Sequence, residues 1–304
     1  MSLIATGSIG IDTVHTDHGS AEKVLGGSCA YFAAAACHQA PVRIVAAVGG
    51  DWPDEHRGTL AAFDGIDQAG LEERPDSTTF AWGGRYETDM NDRETLFTDL
   101  GVLDEPGPAV PESFRDSQYV FLANTHPAEQ ARLLEHFPDR KIAVVDTMDL
   151  WINIAHDDLT TLLQRVDGLV LNDAEAALLT ERRNPVTAGR RLLEMGPKFV
   201  VVKKGEHGCL LVHQDGLAAL PAFPRPQESV VDPTGAGDSF AGGMMGYLAR
   251  EDRTDMEAIQ TALAWGTVTA SFTIESFSLG GLIGVDRAAI DERMEAFQAI
   301  ARVG

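Results

Sequence analysis

The chain has 304 residues, 44% of them hydrophobic, which is typical of a folded globular protein and excludes intrinsic disorder. Its 46 acidic and 24 basic residues give a net charge of −22 with His neutral. Such a surface repels nucleic-acid phosphates and anionic membranes, so we expect neither as a partner. The length allows one large α/β domain or two smaller ones.

The N-terminus and the cysteines predict a cytoplasmic location. The first twenty residues lack a basic segment before an apolar stretch, and no apolar run approaches the roughly 18 residues that a membrane span requires. The three cysteines, Cys29, Cys37 and Cys209, are odd in number and form no CxxC pair. They therefore indicate reduced thiols rather than disulfides or a zinc site, and Cys29 is interpreted as a packing residue.

Short apolar runs alternate with helical patterns along most of the chain. Strands are predicted over residues 3–9, 42–48, 119–123, 141–145, 168–171, 198–202 and 209–212, the last leading into a hairpin around 214–216. Helices are predicted over residues 28–39, 127–136, 174–180 and 187–195. This alternation favours a parallel sheet with helices on both faces.

Two stretches interrupt that alternation, at about 12–25 and 77–103. Both have the pattern of antiparallel strands outside the main sheet, and the second turns at the polar pair Asn91-Asp92. They predict a lid over one edge of the sheet, with a decorative β-meander as the alternative. Alternation places the lid aromatics Phe80, Trp82 and Tyr86 on one face, where they either stack on a ligand or pack the lid itself.

The most informative segment, residues 232–243, reads DPTGAGDSFAGG. Gly235-Ala236-Gly237 has almost no side chain, so its amides can approach an anion closely. Phe240, Met244 and Leu248 recur at helical spacing, which predicts that a helix begins near this segment. Its N-terminus would add a positive dipole end, and the segment therefore predicts an anion hole.

Asp238 lies in that predicted anion hole. A carboxylate there stays ionised and can accept a proton from a substrate hydroxyl; the alternative is a helix N-cap. Gly242 and Gly243 would let the helix pack tightly on a neighbour. The chain contains neither GxxxxGK[ST] nor a GxGxxG after its first strand, so neither a P-loop nor a dinucleotide-binding fold is indicated.

The segment resembles the C-terminal signature of the ribokinase-like, or PfkB, family of carbohydrate and nucleoside kinases. Further family-like motifs follow in order along the chain: GSIGID at 7–12, Gly26-Gly27, VGGD at 48–51, NDAE at 172–175 and KGEHG at 204–208. The resemblance implies a ribokinase-like α/β three-layer sandwich with a central, mostly parallel sheet and a small antiparallel β lid. It implies a single domain over residues 1–304, with the lid strands inserted.

The implied activity is ATP-dependent transfer of the γ-phosphate to a hydroxymethyl group, with Mg²⁺ as cofactor. By the resemblance Asp238 is the catalytic base, as its position at a helix N-terminus also indicates. Gly235, Ala236 and Gly237 match the amides that neutralise charge on the transferring phosphoryl group.

The resemblance also assigns nucleotide and metal residues. Asn172 and Glu175 match the pair that organises Mg²⁺, through water; their alternative is a strand-end Asn followed by a Glu that favours the helix dipole. Gly205 and Gly208 match the loop that holds the nucleotide. Lys203 stands where several members carry Thr, and it either reaches a phosphate or lies in solvent.

Acceptor binding falls on four residues near the N-terminus. Asp12 matches the residue that receives sugar hydroxyls, with a turn residue as the alternative, and Gly26 and Gly27 allow the substrate to approach the backbone. Many members carry Asn where this chain has Tyr31. A phenol there disfavours ribose-type recognition if Tyr31 faces the pocket, whereas the alternative is packing against its own helix.

Three further expectations follow from the family. Thr234 is counted among the cofactor residues, and with Asp232 and residues 271–276 it raises the question of K⁺, which the sequence leaves open. Lid strands in this family pair between subunits, so a homodimer is expected. The preferred function is a sugar kinase; a nucleoside kinase and a catalytically silent binding protein are the alternatives.

Overall fold

The fold comes from a computed structural model that describes residues 1–91 and 93–301. Asp92, half of the predicted lid turn, lies outside the described residues. Within that part of the chain no helix is long and apolar enough to cross a membrane. That the chain forms one domain remains a prediction.

The strands of the described chain form two sheets. In chain order they are β1 (Leu3–Thr6), β2 (Gly10–Thr16), β3 (Gly19–Gly26), β4 (Val42–Gly49), β5 (Ile66–Arg74), β6 (Phe80–Tyr86), β7 (Arg93–Asp99), β8 (Tyr119–Leu122), β9 (Ile142–Asp146), β10 (Gly168–Asn172), β11 (Phe199–Lys203), β12 (Cys209–His213) and β13 (Gly216–Leu220).

The helices cover both faces of the larger sheet. They are α1 (Ser28–Ala36), α2 (Asp54–Ala61), α3 (Pro127–Leu134), α4 (Asp149–Ile154), α5 (His156–Leu163), α6 (Asp173–Thr180), α7 (Pro185–Leu193), α8 (Ala236–Glu251), α9 (Met256–Thr273) and α10 (Arg287–Ala301).

The large sheet is mostly parallel, as predicted. Its order is β13-β12-β11-β10-β9-β8-β1-β4-β5, and only the β11–β12 and β12–β13 pairs among these described strands are antiparallel. Alternate residues face opposite helix layers: Leu3 and Ala5 pack in one core cluster and Ile4 in the other. The three-layer α/β sandwich is therefore confirmed, because strands buried on both faces carry the continuous apolar runs seen in the sequence.

Small residues bring α8 close to its neighbours. A Cβ atom at position 242 would lie 2.3 Å from the carbonyl oxygen of Phe32 in α1, and one at position 243 would lie 2.7 Å from that of Trp265 in α9. Only glycine fits such approaches without moving a backbone. The predicted tight packing at Gly242 and Gly243 is confirmed, and it fixes the N-terminal end of α8 relative to α1.

The small sheet has the order β3-β2-β6-β7 and forms the lid. Its outer pairs are antiparallel, while the central strands β2 and β6 run parallel. Trp82 and Tyr86 are buried in one cluster with Val14 and Met90, and Phe80 packs against it. The three aromatics thus share a face, as predicted, and that face forms the lid's own core.

Several boundaries differ from the sequence predictions. The first strand ends at Thr6 rather than at residue 9, because Gly7 (φ +154°) turns the chain toward the lid. The strand β5 was not predicted, since it lies at the edge of the large sheet and alternates between polar and half-buried residues. The hairpin around residues 214–216 is confirmed between β12 and β13.

Candidate active site

The glycine-rich segment forms the N-terminus of α8. Gly235 is the N-cap in the left-handed conformation (φ 75°, ψ 0°), and the helix begins at Ala236, within the segment where the sequence predicts its start. The Ala236 amide donates to the Pro233 carbonyl at 3.2 Å. Gly237 and Asp238 therefore lie in the first turn, where amides have no preceding helical carbonyl to pair with.

Asp238 lies among other charged groups at this terminus. Burial raises the pKa of its carboxyl to about 7, the Asp146 carboxylate adds to that rise, and Lys203 and Arg93 oppose it. A carboxyl with that pKa can exchange a proton near neutral pH. The geometry thus gives Asp238 both a nearby set of amides and a proton affinity suited to a general base.

Three strand ends of the large sheet supply the neighbouring charges. Asp146 ends β9, Asn172 ends β10 and Lys203 ends β11. The carboxyl ends of parallel strands meet at one edge of the sheet, which is where such folds place ligands. Asp146 was not singled out from the sequence, although its position directly after an apolar strand was a usable signal.

Lys203 is enclosed by this charge cluster. Its Nζ lies 3.3 Å from Asp146 Oδ2, and its side chain is 18% exposed. Burial alone would lower the pKa of Lys203, but the carboxylates of Asp146, Glu175 and Asp238 outweigh it and raise that pKa. A Cβ atom at position 237 would lie 2.7 Å from Nζ, so the ammonium rests against Gly237. The solvent alternative for Lys203 is therefore wrong.

Asn172 and Glu175 form a capping box at the start of α6. Asn172 Oδ1 accepts from the Glu175 amide, and Glu175 Oε2 accepts from the Asn172 amide, both at 2.7 Å. Burial raises the pKa of Glu175 to about 7, with Asp146 adding to the rise. The pair thus stabilises the helix terminus, and the capping box uses only one of the two carboxylate oxygens of Glu175.

The donor set fits a hard cation only in part. Asp146, Glu175 and Asp238 offer oxygen atoms, the ligands that Mg²⁺ prefers. In the part of the chain that the structure describes, however, no three acidic, His or Cys side chains are placed to hold a metal ion by themselves. Phosphate oxygens and water would have to complete the coordination.

The acceptor-side residues lie where β2, β3 and α1 meet. Asp12 is 3% exposed, and its Oδ1 has no hydrogen-bond partner among the described residues. A Cβ atom at position 26 would lie 1.9 Å from Asp12 Oδ2, so Gly26 makes room for the carboxylate. Gly27 (φ +93°) passes within contact of the Ser8 and Ile9 backbone.

The electrostatics connect Asp12 with Asp238. Burial raises the pKa of Asp12 to about 7; Asp232 and, more weakly, Asp238 add to the rise, while the Gly27 amide opposes it. The predicted acceptor residue and the predicted base therefore lie in one site. The ring of Tyr31 packs on Gly235, and both Asp12 and Asp238 contribute to raising the pKa of its hydroxyl, after burial and Asp232.

The lid contributes two groups that the sequence analysis did not assign to the site. The Thr234 hydroxyl donates to the Tyr86 hydroxyl at 3.2 Å, so the lid contacts the segment before α8. Arg93, opposite Tyr86 in the β6–β7 pair, lowers the pKa of both Asp238 and Glu175. Its guanidinium lies 5.4 Å from the Trp82 ring centroid. No motif marks Arg93, because only folding brings the lid to the sheet edge.

A cavity of about 510 Å³ adjoins the charge cluster. Lys203 and Gly237 line it, together with Gly205, Gly208, residues 221–225 and the inner faces of α8 and α9. Gly205 and Gly208 both have positive φ, and a Cβ atom at position 208 would lie 2.0 Å from the Leu220 carbonyl oxygen. The volume is typical of small-molecule sites.

Thr234 and Asp232 lie just before the predicted anion hole. The Thr234 amide donates to Asp232 Oδ1 at 2.8 Å, while Asp232 Oδ2 is buried with no partner among the described residues. The Ile274 carbonyl accepts from the Val231 and Asp232 amides. The region around residues 271–276 therefore closes over this segment.

Comparison with known proteins bears on the whole chain. The model of the pfkB family of carbohydrate kinases matches residues 11–282. A cytidine kinase of Thermococcus kodakarensis is 29% identical over 255 residues, which cover 82% of this chain and 89% of that protein. The family match and the cytidine kinase similarity thus extend over most of the chain.

Two solved structures share the fold. A nucleoside kinase of Methanocaldococcus jannaschii matches with a TM-score of 0.76 at 19% identity, covering 97% of this chain and 98% of its own. A candidate ribokinase II of E. coli in complex with ATP and Mg²⁺ matches with a TM-score of 0.75 at 20% identity, covering 97% and 100%.

Proposed function

Because the chain belongs to the pfkB family of carbohydrate kinases, and is thus a phosphotransferase acting on an alcohol group, we propose that it phosphorylates a hydroxymethyl group with ATP and uses Asp238 as the base. One observation carries the proposal: Asp238 lies in the first turn of α8, beside the Gly235 N-cap and within the field of Lys203. A base and an anion-stabilising terminus are thereby combined at one point.

In this proposal Asp238 accepts the proton of the acceptor hydroxyl as its oxygen attacks the γ-phosphorus. The backbone of Gly235, Ala236 and Gly237 faces the transferring group, and the amides of the first turn stabilise its charge. Since the Ala236 amide already donates to Pro233, we assign most of that stabilisation to the turn that follows.

Two cations flank the transferring group from different sides. Lys203 rests against Gly237 and is held by Asp146, so it is positioned to contact a phosphate oxygen. Arg93 approaches Asp238 and Glu175 from the lid. Phosphoryl transfer is catalysed mainly by positioning and charge neutralisation, which suits a site with one cation on each side.

Asn172 and Glu175 are the residues that would hold Mg²⁺ near the phosphates, through water. The ion would neutralise charge on the phosphate oxygens. The capping box fixes the Glu175 side chain, and Glu175 would act through Oε1, the oxygen that the box does not use. We place the nucleotide in the 510 Å³ cavity, against Gly205 and Gly208, and we expect Thr234, which follows the lining residue Pro233, to contact it as well.

For the acceptor we favour a nucleoside over a free sugar. The similarity to a cytidine kinase extends over 82% of the chain, and it reverses the order of preference that the sequence gave. Asp12 would receive a hydroxyl of the sugar moiety, with Gly26 and Gly27 allowing close approach. A free sugar remains the second candidate, since these residues would bind a sugar hydroxyl in either compound.

The test is an acceptor screen with ATP and Mg²⁺, in which ADP release is followed for nucleosides, pentoses, hexoses and sugar acids. We expect turnover with one class and a phosphorylated primary hydroxyl by NMR. Asp238→Asn serves as the blank. If no acceptor gives turnover above that blank, the chain is a catalytically silent binding protein and the proposal is wrong.

A monovalent cation also suits the segment before α8. Asp232 Oδ2 is buried and unpartnered in the described chain, and the Asp232 amide donates to the Ile274 carbonyl. We propose that K⁺ bound there supports the anion hole. Turnover in KCl should exceed turnover in choline chloride at equal ionic strength, and equal rates would refute this.

The lid edge is proposed as a homodimer contact. All residues of β7 are exposed, including the apolar Leu96 and Phe97, and β7 is an edge strand of the lid sheet. Light scattering should give a dimer that Phe97→Asp weakens; a monomeric parent would refute it. We place the reaction in the cytoplasm, where ATP is available and the free thiols of the chain stay reduced.

A further inference from the structure

Tyr31 packs directly beneath the anion hole. If position 235 carried a Cβ atom, it would lie 2.2 Å from Tyr31 Cδ1 and from Tyr31 Cγ. The ring therefore fills the space beside the Gly235 backbone where a side chain would otherwise project. Gly235 holds φ 75°, a conformation that glycine adopts freely but does not keep unless its surroundings fix it.

The ring itself is held rigidly. Tyr31 is 2% exposed and lies in the first turn of α1, where its amide donates to the Gly27 carbonyl at 3.2 Å. The next residue, Phe32, contacts Gly242 of α8 through its carbonyl oxygen. The same pair of helices thus fixes both the ring and the Gly235 N-cap.

The hydroxyl of Tyr31 is buried but has no hydrogen-bond partner in the described chain. Its charged and polar neighbours are Asp232, Asp12, Tyr86 and Asp238, in decreasing order of influence. Asp12 Oδ1 is unpartnered as well. A buried donor that lacks a partner destabilises the protein, so this hydroxyl is suited to a partner that arrives with the substrate.

We propose that Tyr31 joins the two halves of the site: its ring positions the Gly235 peptide for phosphoryl transfer, and its hydroxyl binds a non-reacting hydroxyl of the acceptor. The proposal rests on the kinase function proposed above. When ionised, Asp12 can accept a hydrogen bond from the substrate hydroxyl but cannot donate one. Tyr31 can donate a hydrogen bond to that same hydroxyl. Together they would recognise a hydroxyl by both of its hydrogen-bonding capacities.

Two variants separate the ring from the hydroxyl. Tyr31→Phe keeps the ring and removes the donor, so kcat should stay within about twofold while KM for the acceptor rises about tenfold, the effect of one hydrogen bond. Tyr31→Leu also removes the support of Gly235, so kcat should fall about 10²-fold, as expected for a small displacement of catalytic groups.

Phe32→Leu is the matched control, because it shortens the adjacent buried ring of α1 without touching Gly235. The Phe32 ring stacks on Phe121. The melting temperature of the Phe32→Leu variant should therefore fall, while its kcat is retained. A merely structural role of Tyr31 would give Tyr31→Leu and Phe32→Leu the same kcat, and that result would overturn the positioning role. An unchanged acceptor KM in Tyr31→Phe would overturn the binding role.

The failure of this inference differs from failure of the proposed function. If the unaltered protein turns over no acceptor in the screen, both are overturned. If the unaltered protein is active and the variants do not separate kcat from KM as described, only the role of Tyr31 is overturned.

Discussion

The edge of the large sheet and the lid sheet contribute to the site in different ways. At the sheet edge, Asp146, Asn172 and Lys203 end neighbouring parallel strands whose preceding residues are buried on both faces. The lid contributes Tyr86 and Arg93 to the site. Its four strands have a small core of their own, a cluster around Trp82. The carboxylates and Lys203 are thus carried by elements of the large core, whereas the second cation, Arg93, comes from the smaller lid sheet.

This difference indicates how the charges are balanced. The sheet edge holds the carboxylates of Asp146, Glu175 and Asp238 near Lys203. The pKa values of these three carboxyl groups are raised, mainly by burial. Arg93 is the group from the lid that lowers two of those values. We infer that the sheet edge supplies the chemistry and that the lid adjusts the pKa values of its carboxyl groups.

The largest effect is expected at Asp238. Asp238→Asn keeps the shape and removes the proton acceptor, so kcat should fall ~10²–10⁴-fold, the usual scale for loss of a general base. ATP affinity measured by calorimetry should change little. Asp173→Asn, at an exposed position of α6, is the control and should retain turnover. Near-normal kcat in Asp238→Asn would remove Asp238 from its role.

A smaller effect is expected from the lid. Arg93→Met removes the cation that approaches Asp238 and should lower kcat about 10²-fold, comparable to loss of one charge-stabilising donor. Arg85→Met is the matched control, because Arg85 lies in the adjacent lid strand, is exposed and faces Glu94. Equal turnover of the two variants would show that the lid contributes no charge to the reaction.

Next comes the metal requirement at the sheet edge. Glu175→Gln retains the capping box, since Gln serves at that position, but it loses the charge. The Mg²⁺ concentration for half-maximal activity should rise about tenfold, as for loss of an outer-shell partner. The melting temperature should stay unchanged. An unaltered Mg²⁺ titration would place the ion elsewhere.

The smallest effect concerns stability and pH. The pKa of Asp12 is raised by burial to about 7 in the folded chain, so its contribution to stability is present below pH 4 and is lost as pH rises through 7. Asp12→Asn should therefore raise the melting temperature more at pH 8 than at pH 5. Asp17→Asn, on the exposed β2–β3 turn, should show no such difference. An equal rise in the melting temperature at both pH values would contradict a pKa of Asp12 that is raised by burial.

The sequence predicted the large sheet better than the lid or the complete site. Buried parallel strands carry continuous apolar runs, whereas β5 at the sheet edge is largely polar and gave no signal. Asp238 could be identified as a candidate because the segment that marks it, Gly235-Ala236-Gly237, directly precedes it in the chain. Asp146 offered a signal in its position directly after an apolar strand, which was not used, whereas Arg93 offered none, because its partners are distant in the chain and only the fold brings them together.

The most direct test of this account is the pH dependence of kcat in the unaltered protein and in Arg93→Met. Asp238 acts as a base only when ionised, so kcat should rise with pH through about 7. Arg93 lowers the pKa of Asp238, and its removal should move that rise to higher pH, while Arg85→Met leaves it in place. A rise at the same pH in Arg93→Met would contradict the coupling between the lid cation and the base at the sheet edge.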